Sequence, residues 1–316
     1  MSRSVSIVIP TYNGRDLLER HLPSVLAAAA RVAGEVVVVD DGSSDGTVEY
    51  LRARFPTVTV VAAPENRGFS ATMNRGVGAA SGEIVVCVNN DVEVPPDFLL
   101  PLLRHFDDPD CFAVASRMEV ESDGRDESLV RGSFRFGFLQ TYRTDVPPAG
   151  LDGPVPVLYA VGAAVAYSRE KFQALGGFDL LFSPFNGEDL DISYRAWKRG
   201  WRVLWEPASV VRHEHRATIG RFYSAEFIRQ TQVRARLIFA WKNVTDPWLL
   251  GAHLLCLGPR TLARVARGER YFWRALRSCL GDLPAIRAAR RRQRAHARRS
   301  DREVFALVAP FRERNA

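Results

Sequence analysis

The chain is predicted to be α/β, a mostly parallel sheet with helices on both faces plus a C-terminal helical extension, on three observations. Apolar runs of strand length alternate with helical stripes over about the first 100 residues, the pattern of repeated βαβ units. Polar clusters at residues 10–13, 40–47 and 89–93 each follow such a run, where the carboxyl ends of parallel strands collect ligands. From Ser224 onward the pattern turns helical and basic.

Val5–Ile9 is a β-branched run closed by Pro10, and Asp16–Arg31 carries Leu17, Leu18, Leu22, Val25, Leu26 and Ala29 on one helical stripe. Glu35–Val39 is a second strand running into Asp40, Asp41 and a Gly/Ser/Asp turn. Val48–Phe55 follows as helix and Val58–Ala62 as a third strand. Gly68–Ala80 supplies a helix and Glu83–Val88 a nearly continuous apolar strand, with Asn89, Asn90 and Asp91 just past its end. Residues 119–156 are rich in Gly, Pro, Asp and Arg without sustained periodicity, which suggests a mobile loop or an excursion beside the site. Order returns with Val157–Ser168 and with Arg169–Leu175, a helix closed by Gly176 and Gly177. Asp189–Arg199 reads as a helix and Trp201–Glu206 as a strand, and the later helices are expected to break near Pro247, Pro259 and Pro284. The expected division is a catalytic domain over 1–222 and a basic helical region over 223–316.

With 47% hydrophobic residues in 316, the chain can bury a sizeable core. Cys87, Cys111, Cys256 and Cys279 form no CxxC pair and have no His at ligand spacing, which argues against a zinc site or disulfide framework and for a reducing compartment. The residues before Val5 leave no room for a signal peptide, so export is not expected. The best uncharged apolar run, Trp248–Gly258, is about half the roughly 18 to 20 residues a spanning helix requires. The net charge of +7 hides a division. Residues 213–316 hold 22 Arg/Lys against 8 Asp/Glu, an excess of 14 positive charges, so residues 1–212 carry −7. A basic tail on an acidic body suggests a surface for anionic lipid, with nucleic acid as the competing partner.

Paired carboxylates at the Asp40–Asp41 turn suit the imino N–H of a nucleotide base, and serve equally as a turn with helix capping by Ser43, Ser44 or Asp45. Asp91, after a buried strand, could ligate Mg²⁺ or Mn²⁺ bridging two phosphates, or simply cap a loop. Glu188 and Asp189 stand at a helix mouth, where free N–H groups favour an ionised carboxylate that could act as a base; an ordinary acidic first turn looks the same. His213, with His215 nearby, is by itself as readily a packed residue as a ligand.

In combination these segments are more specific. Ile7–Asn13, with its Pro10-Thr11-Tyr12-Asn13 loop, Val39–Thr47, Glu65–Phe69 with Asn74–Gly76, Asn89–Asp91, Gly176–Asp179 and Gly187–Asp189 together resemble the signatures of family-2 inverting glycosyltransferases of the nucleotide-diphospho-sugar transferase (GT-A) fold, over residues 5 to about 220. The resemblance implies that Pro10, Thr11, Tyr12, Asn13, Asp40 and Asp41 hold the base and ribose of a nucleotide-sugar donor, with Asn66 and Arg67 near the nucleotide and its phosphates. Asn89, Asn90 and Asp91 look like a variant of the family's Asp-x-Asp motif with Asn in first place, so Asp91 would carry the divalent metal, Mg²⁺ or Mn²⁺, completed by His213. Asp189 would be the base, with Glu188 and Asp179 on the acceptor side. It would take a hydroxyl proton from a cell-surface glycan or lipid-linked acceptor, which displaces the nucleotide diphosphate from a UDP- or dTDP-sugar with inversion. The Gln-x-x-Arg-Trp motif and spanning helices of processive relatives are missing, which favours transfer of one or a few sugars, as in bacterial rhamnosyl- and galactofuranosyl-transferring enzymes.

Two rivals differ in kind. A nucleotidyltransferase of similar fold would need a Gly-rich basic loop near the amino terminus, which is missing. A nucleic-acid-binding protein would use Arg290, Arg291 and Arg292, but no aromatic residues interleave with that cluster and the body is acidic, so no nucleic-acid partner is expected. In the tail, Leu262, Val265, Phe272, Trp273, Leu276 and Leu280 at helical spacing read either as core of a helical subdomain or, with the eight Arg of 287–302, as an amphipathic surface on an anionic bilayer. The expected location is cytoplasmic, peripheral to the inner membrane on the second reading.

Overall fold

The computed structural model describes residues 3–120, 125–144, 151, 153–214 and 223–311. Its main sheet runs β3 (Thr59–Ala62), β2 (Glu35–Asp40), β1 (Val5–Thr11), β4 (Ile84–Val88), β10 (Ala164–Ser168), β6 (Cys111–Val120), β11 (Arg202–His213), β5 (Val92–Glu93), with β9 (Val155–Pro156) also on β11. The first four strands are parallel and β6 runs parallel to β11, whereas β10, β5 and β9 are antiparallel to their neighbours. The sheet is therefore mostly parallel in direction, as expected. The apolar runs are continuous because both faces are covered. Val8, Val37, Val39, Val85 and Cys87 face one core, and Ile7, Ile9, Val36, Val38 and Val86 face the other.

Helices α1 (Arg15–Arg31), α2 (Thr47–Arg54) and α3 (Phe69–Ala79) make the crossovers. Gly76 lets α3 lie on the sheet, since a Cβ there would stand 2.3 Å from Val8 Cγ1. After α4 (Leu99–Leu103) and β6 the chain forms a hairpin, β7 (Val130–Arg135) with β8 (Phe138–Arg143). Of the two readings of 119–156, a mobile loop or an excursion, the described part is an excursion with regular structure of its own. Local periodicity is weak because the hairpin is held from outside: Gly132 N–H donates to Val308 O at 2.8 Å, and Arg131 donates to Ala309 O at 2.7 Å. Residues 121–124, 145–150 and 152 of that segment lie outside the described residues.

α5 (Arg169–Ala174) and α6 (Glu188–Lys198) follow. β11 is longer than expected, passing Pro207 with a register shift between Glu206 and Val210 and ending on His213. The tail comprises α7 (Ala225–Asn243), α8 (Pro247–Ala266), α9 (Arg270–Gly281), α10 (Leu283–Ala295) and α11 (Asp301–Leu307). Pro247 and Pro284 open helices, where a missing N–H costs nothing. Pro259 sits inside α8 without ending it, on the exposed side where water can take the carbonyl its ring leaves unbonded. Phe239, Val244, Val304 and Val308 join the same core as Val8 and Val165, so the tail shares the body's packing. Phe272 and Leu276 are buried, whereas Leu262, Val265, Trp273 and Leu280 face outward.

Candidate active site

β1 and β2 end side by side, Thr11 opposite Asp40, and the loops leaving them are stitched together. Asn13, in left-handed conformation at φ 47°, donates its N–H to Ser43 Oγ at 2.8 Å, and its Oδ1 accepts from Ser44 N–H at 2.8 Å. Asn tolerates that conformation because its short amide bonds locally. The two carboxylates then differ. Asp41 accepts from the N–H of Arg67, at 3.0 and 3.1 Å, and of Gly68 at 2.9 Å, so it shapes the loop from Glu65 to Gly68. Asp40, 2% exposed, accepts from Ser43 N–H at 3.0 Å through Oδ2 and keeps Oδ1 buried without a hydrogen-bond partner. An orphan buried carboxylate oxygen is costly, and a ligand N–H would relieve it.

Arg67 turns its guanidinium to Glu65 at 2.7 Å on the surface, while Asn66 Oδ1 accepts from Gly68 N–H at 3.1 Å. Both side chains thus serve the loop. Phe69 N–H donates to Pro184 O at 3.1 Å, and a Cβ on Gly68 (φ 83°) would stand 2.8 Å from that oxygen. The loop therefore abuts the segment leading into α6.

Past β4, Asn89 N–H donates to Ala163 O at 2.9 Å, and Asn90 Nδ2 donates to Thr11 Oγ1 at 3.1 Å. Pro10, one residue earlier, is in the same strand end. Asp91 is 5% exposed. β5 pairs with the end of β11, His213 opposite Val92, which brings His213 Nε2 to 3.4 Å from Asp91 Oδ1. Burial pulls the imidazole pKa down, but the hydrogen bond and charge of Asp91, with Glu127 and Glu214 beyond, raise it on balance. An oxygen and an imidazole nitrogen converging at slightly more than ordinary hydrogen-bond length are residue types that could hold a divalent cation, Mg²⁺ or Mn²⁺. Among the described residues no cluster of three or more His, Cys, Asp or Glu forms a complete site. Substrate oxygens and water would supply the remaining positions. His215 lies outside the described residues.

α6 starts from two successive left-handed residues, Asn186 (φ 76°) and Gly187 (φ 92°), and a Cβ on Gly187 would meet Ala235 and Phe182 at 2.9 Å. This turn sets Glu188 and Asp189 at the helix mouth. Asp189 Oδ1 accepts from Leu190 N–H at 2.7 Å, and its carboxylate also accepts from Gly162 N–H. Glu188 is 9% exposed, with Oε2 lacking a partner. Burial, then the charge of Asp189, pushes Glu188 up to about 8. Burial pushes Asp189 up to about 6 against the pull of the Leu190 and Gly162 N–H groups and Arg143. The two carboxyls titrate as a coupled pair, both raised by burial and Glu188 further by the charge of Asp189. Gly162 and Ala163 are consecutive, the first bonded to Asp189 and the second to Asn89, so the carboxylate at α6 and the Asp91 loop hang on one short stretch of backbone.

Asp179, expected on the acceptor side, is otherwise engaged. It accepts from Leu181 N–H at 3.0 Å and lies 2.6 Å from Lys242 Nζ, a wholly buried cation on α7. Lys242 also reaches Asp191 at 2.7 Å, and Asp191 takes Arg195 at 2.8 Å. Periodicity did not single out Lys242, although a lone cation among Phe239, Ala240 and Trp241 was a usable signal. Tyr223 was missed as well: it packs on Phe185 and Phe227 at 4.7 and 5.3 Å between ring centres and lies close enough to Tyr12 and Asp41 to feel their charge.

A doubly covered sheet with carboxylates gathered at the carboxyl ends of its strands, an Asp–His pair and a helix-mouth carboxylate define a GT-A-type fold. Residues 6–176 match glycosyl transferase family 2, and the chain belongs to that family. It is 29% identical over 223 residues to the pre-mycofactocin glycosyltransferase of Mycobacterium tuberculosis, covering 69% of this chain and 44% of that protein. It is 28% identical over 258 residues to the N-acetylglucosaminyl-diphospho-decaprenol L-rhamnosyltransferase of the same species, covering 70% of this chain and 79% of that one. The chain thus spans less than half the length of the first relative. The crystal structure of GalNAc-T7 with UDP, GalNAc and Mn²⁺ superposes with a TM-score of 0.63 at 21% identity, over 78% of this chain and 49% of that one.

Proposed function

We propose that the protein transfers a single sugar, or a few in succession, from a UDP- or dTDP-sugar to a hydroxyl of a cell-surface glycan or lipid-linked acceptor, with inversion at the anomeric carbon. One observation carries this reading. A carboxylate raised to about 6, Asp189, is bonded to the N–H of Gly162, and the next residue, Ala163, takes the N–H of Asn89 from the loop bearing Asp91. Asp189 accepts the proton of the acceptor hydroxyl. The oxygen forms its bond to the anomeric carbon from the face opposite the diphosphate as the bond to the β-phosphate oxygen breaks, and the nucleotide diphosphate leaves. Asp40 Oδ1 accepts the base N–H, and Thr11 and Asn13 frame the nucleoside. Asp91 and His213 would hold a divalent cation, which when bound would supply positive charge to offset that of the leaving diphosphate. Asp41, Asn66 and Arg67 keep the donor loop in shape. The metal reading is supported by GalNAc-T7, crystallised with UDP and Mn²⁺, and the lipid-linked acceptor by the name of the rhamnosyltransferase relative.

The test is a screen of nucleotide sugars for donor hydrolysis and transfer with and without Mn²⁺ or Mg²⁺. One donor is expected to be consumed in a metal-dependent way; no turnover of any donor with either metal overturns the assignment.

A further inference from the structure

α8 packs Leu249 and Leu257 inward yet turns most of its large apolar residues to the surface. It buries His253 and Thr261 and exposes Trp248, Leu255 and Leu262 by 78%, 79% and 73%. Their spacing of seven places them on one face, with Leu254 and Val265 beside them, along a helix about 30 Å long. No exposed residue of α8 is ionisable. Arg260 lies over the Phe138 ring and Arg264 pairs with Glu269, so the helix's own cations are turned aside. His253 Nδ1 is 2.6 Å from Gly137 O, which pins the hairpin tip to the buried side of α8. An open groove walled by Leu262, Val265 and Trp273 continues the exposed face onto α9, with Arg270 and Arg274 at its rim. An apolar face of this extent marks an interaction surface.

We propose that this face docks on an anionic lipid bilayer, its apolar row entering the headgroup boundary while Arg267, Arg270, Arg274 and Arg277, all exposed, meet lipid phosphates. The charge decides the occupant. Residues 213–316 carry 22 Arg/Lys against 8 Asp/Glu, so a second copy in a two-fold contact would set like charges together. A polyanion such as nucleic acid would leave Trp248, Leu255 and Leu262 in water. Among the described residues no helix is long and apolar enough to cross a membrane, so the protein would lie on the bilayer through this face.

The surface also specifies the acceptor, a step that rests on the transferase reading. β8 has one end, at Phe138, against His253 of α8, and the other, at Arg143, beside Tyr159 and Asp189. Six residues of strand span about 17 Å. An acceptor whose lipid chain stays in the bilayer would thus offer its first sugars at Asp189.

The experiment is flotation of the full chain with vesicles of phosphatidylcholine alone and of phosphatidylcholine mixed with phosphatidylglycerol, at low and high salt. Binding is expected only to the anionic vesicles and to weaken with salt. Leu255→Glu with Leu262→Glu should lower it at least about tenfold while metal-dependent donor hydrolysis stays unchanged. The proposal is overturned by failure to bind anionic vesicles, by equal binding to both, or by a double variant that binds like the parent. A solution dimer that the double variant dissolves would also overturn it, assigning the face to a second copy. Because flotation needs no turnover, an inactive protein that still floats refutes only the transferase reading, and an active one that does not float refutes only the membrane surface.

Discussion

His213 Nε2 and Asp91 Oδ1 face each other at 3.4 Å because the last residue of β11 pairs with Val92, the neighbour of Asp91. Neither residue reaches the pair through its own local sequence; the antiparallel register of β5 on β11 does it. If they hold the metal together, Asp91→Asn and His213→Gln should each weaken Mn²⁺ binding at least about 10- to 100-fold. Titration of bound Mn²⁺ by its paramagnetic resonance signal checks this without turnover, and parental affinity in both variants would remove the pair from the metal site.

Asp189 is raised to about 6, so its ionised form grows as pH rises through that value. The rate of transfer should climb through an acid limb near pH 6 and level off above it. Asp189→Asn should lower kcat by about 10² to 10⁴ with donor KM little changed. A residual rate that keeps the acid limb would mean another group is the base.

The same burial sets a stability dependence of opposite sense to that of a salt-bridged carboxylate. Glu188 is raised to about 8 in the folded protein from an ordinary value of 4.5, so between those values the folded state binds the extra proton. Its neutral form fits the fold fully at the acid end of this window, and stability is lost as pH rises through it. Glu188→Gln should therefore raise the melting temperature more at pH 9 than at pH 5, and the difference between parent and variant across the two pH values isolates this residue from carboxylates whose shift is downward. An equal effect at both would show that Glu188 is ionised throughout.

Much of this arrangement is readable along the chain because the parallel half is built from local units. The β-branched runs at Val5, Glu35 and Ile84 become strands for the reason they are apolar on both faces, and the polar clusters after them fall at the strand ends by topology alone. Asn74 shows why motif residues far from chemistry recur: it brackets the Phe178 backbone with two hydrogen bonds of 2.8 Å, and a Cβ on Gly177 would strike it at 2.4 Å. What depends on distant partners is not legible. The β7–β8 hairpin leans on residues 308 and 309. Periodicity assigns Trp248, Leu255 and Leu262 to one face of α8 but cannot say that the face points outward. Asp41 and Asp40 look equivalent in sequence; the Arg67 and Gly68 N–H groups on the first and the Ser43 N–H on the second distinguish them.

Lys242 gives the strongest case for an unsignalled residue. Fully buried on α7, it bonds Asp179 at 2.6 Å and Asp191 at 2.7 Å, and Arg195 holds the other oxygen of Asp191 while donating to Leu175 O and Gly177 O at 2.7 Å. Two cations thus balance two carboxylates and join the tail to the helix that carries Glu188 and Asp189. Lys242→Met keeps most of the volume but leaves one negative charge unmatched in the interior, a loss of about 3–5 kcal/mol. Lys242→Met strips Asp179 of its cation while Asp191 keeps Arg195, so Lys242→Met with Asp179→Asn should be more stable than the charge-unbalanced single variant. Urea denaturation of parent, single and double variants measures both quantities, and a double variant less stable than Lys242→Met would show that loss of Lys242 does not leave the Asp179 carboxylate unmatched.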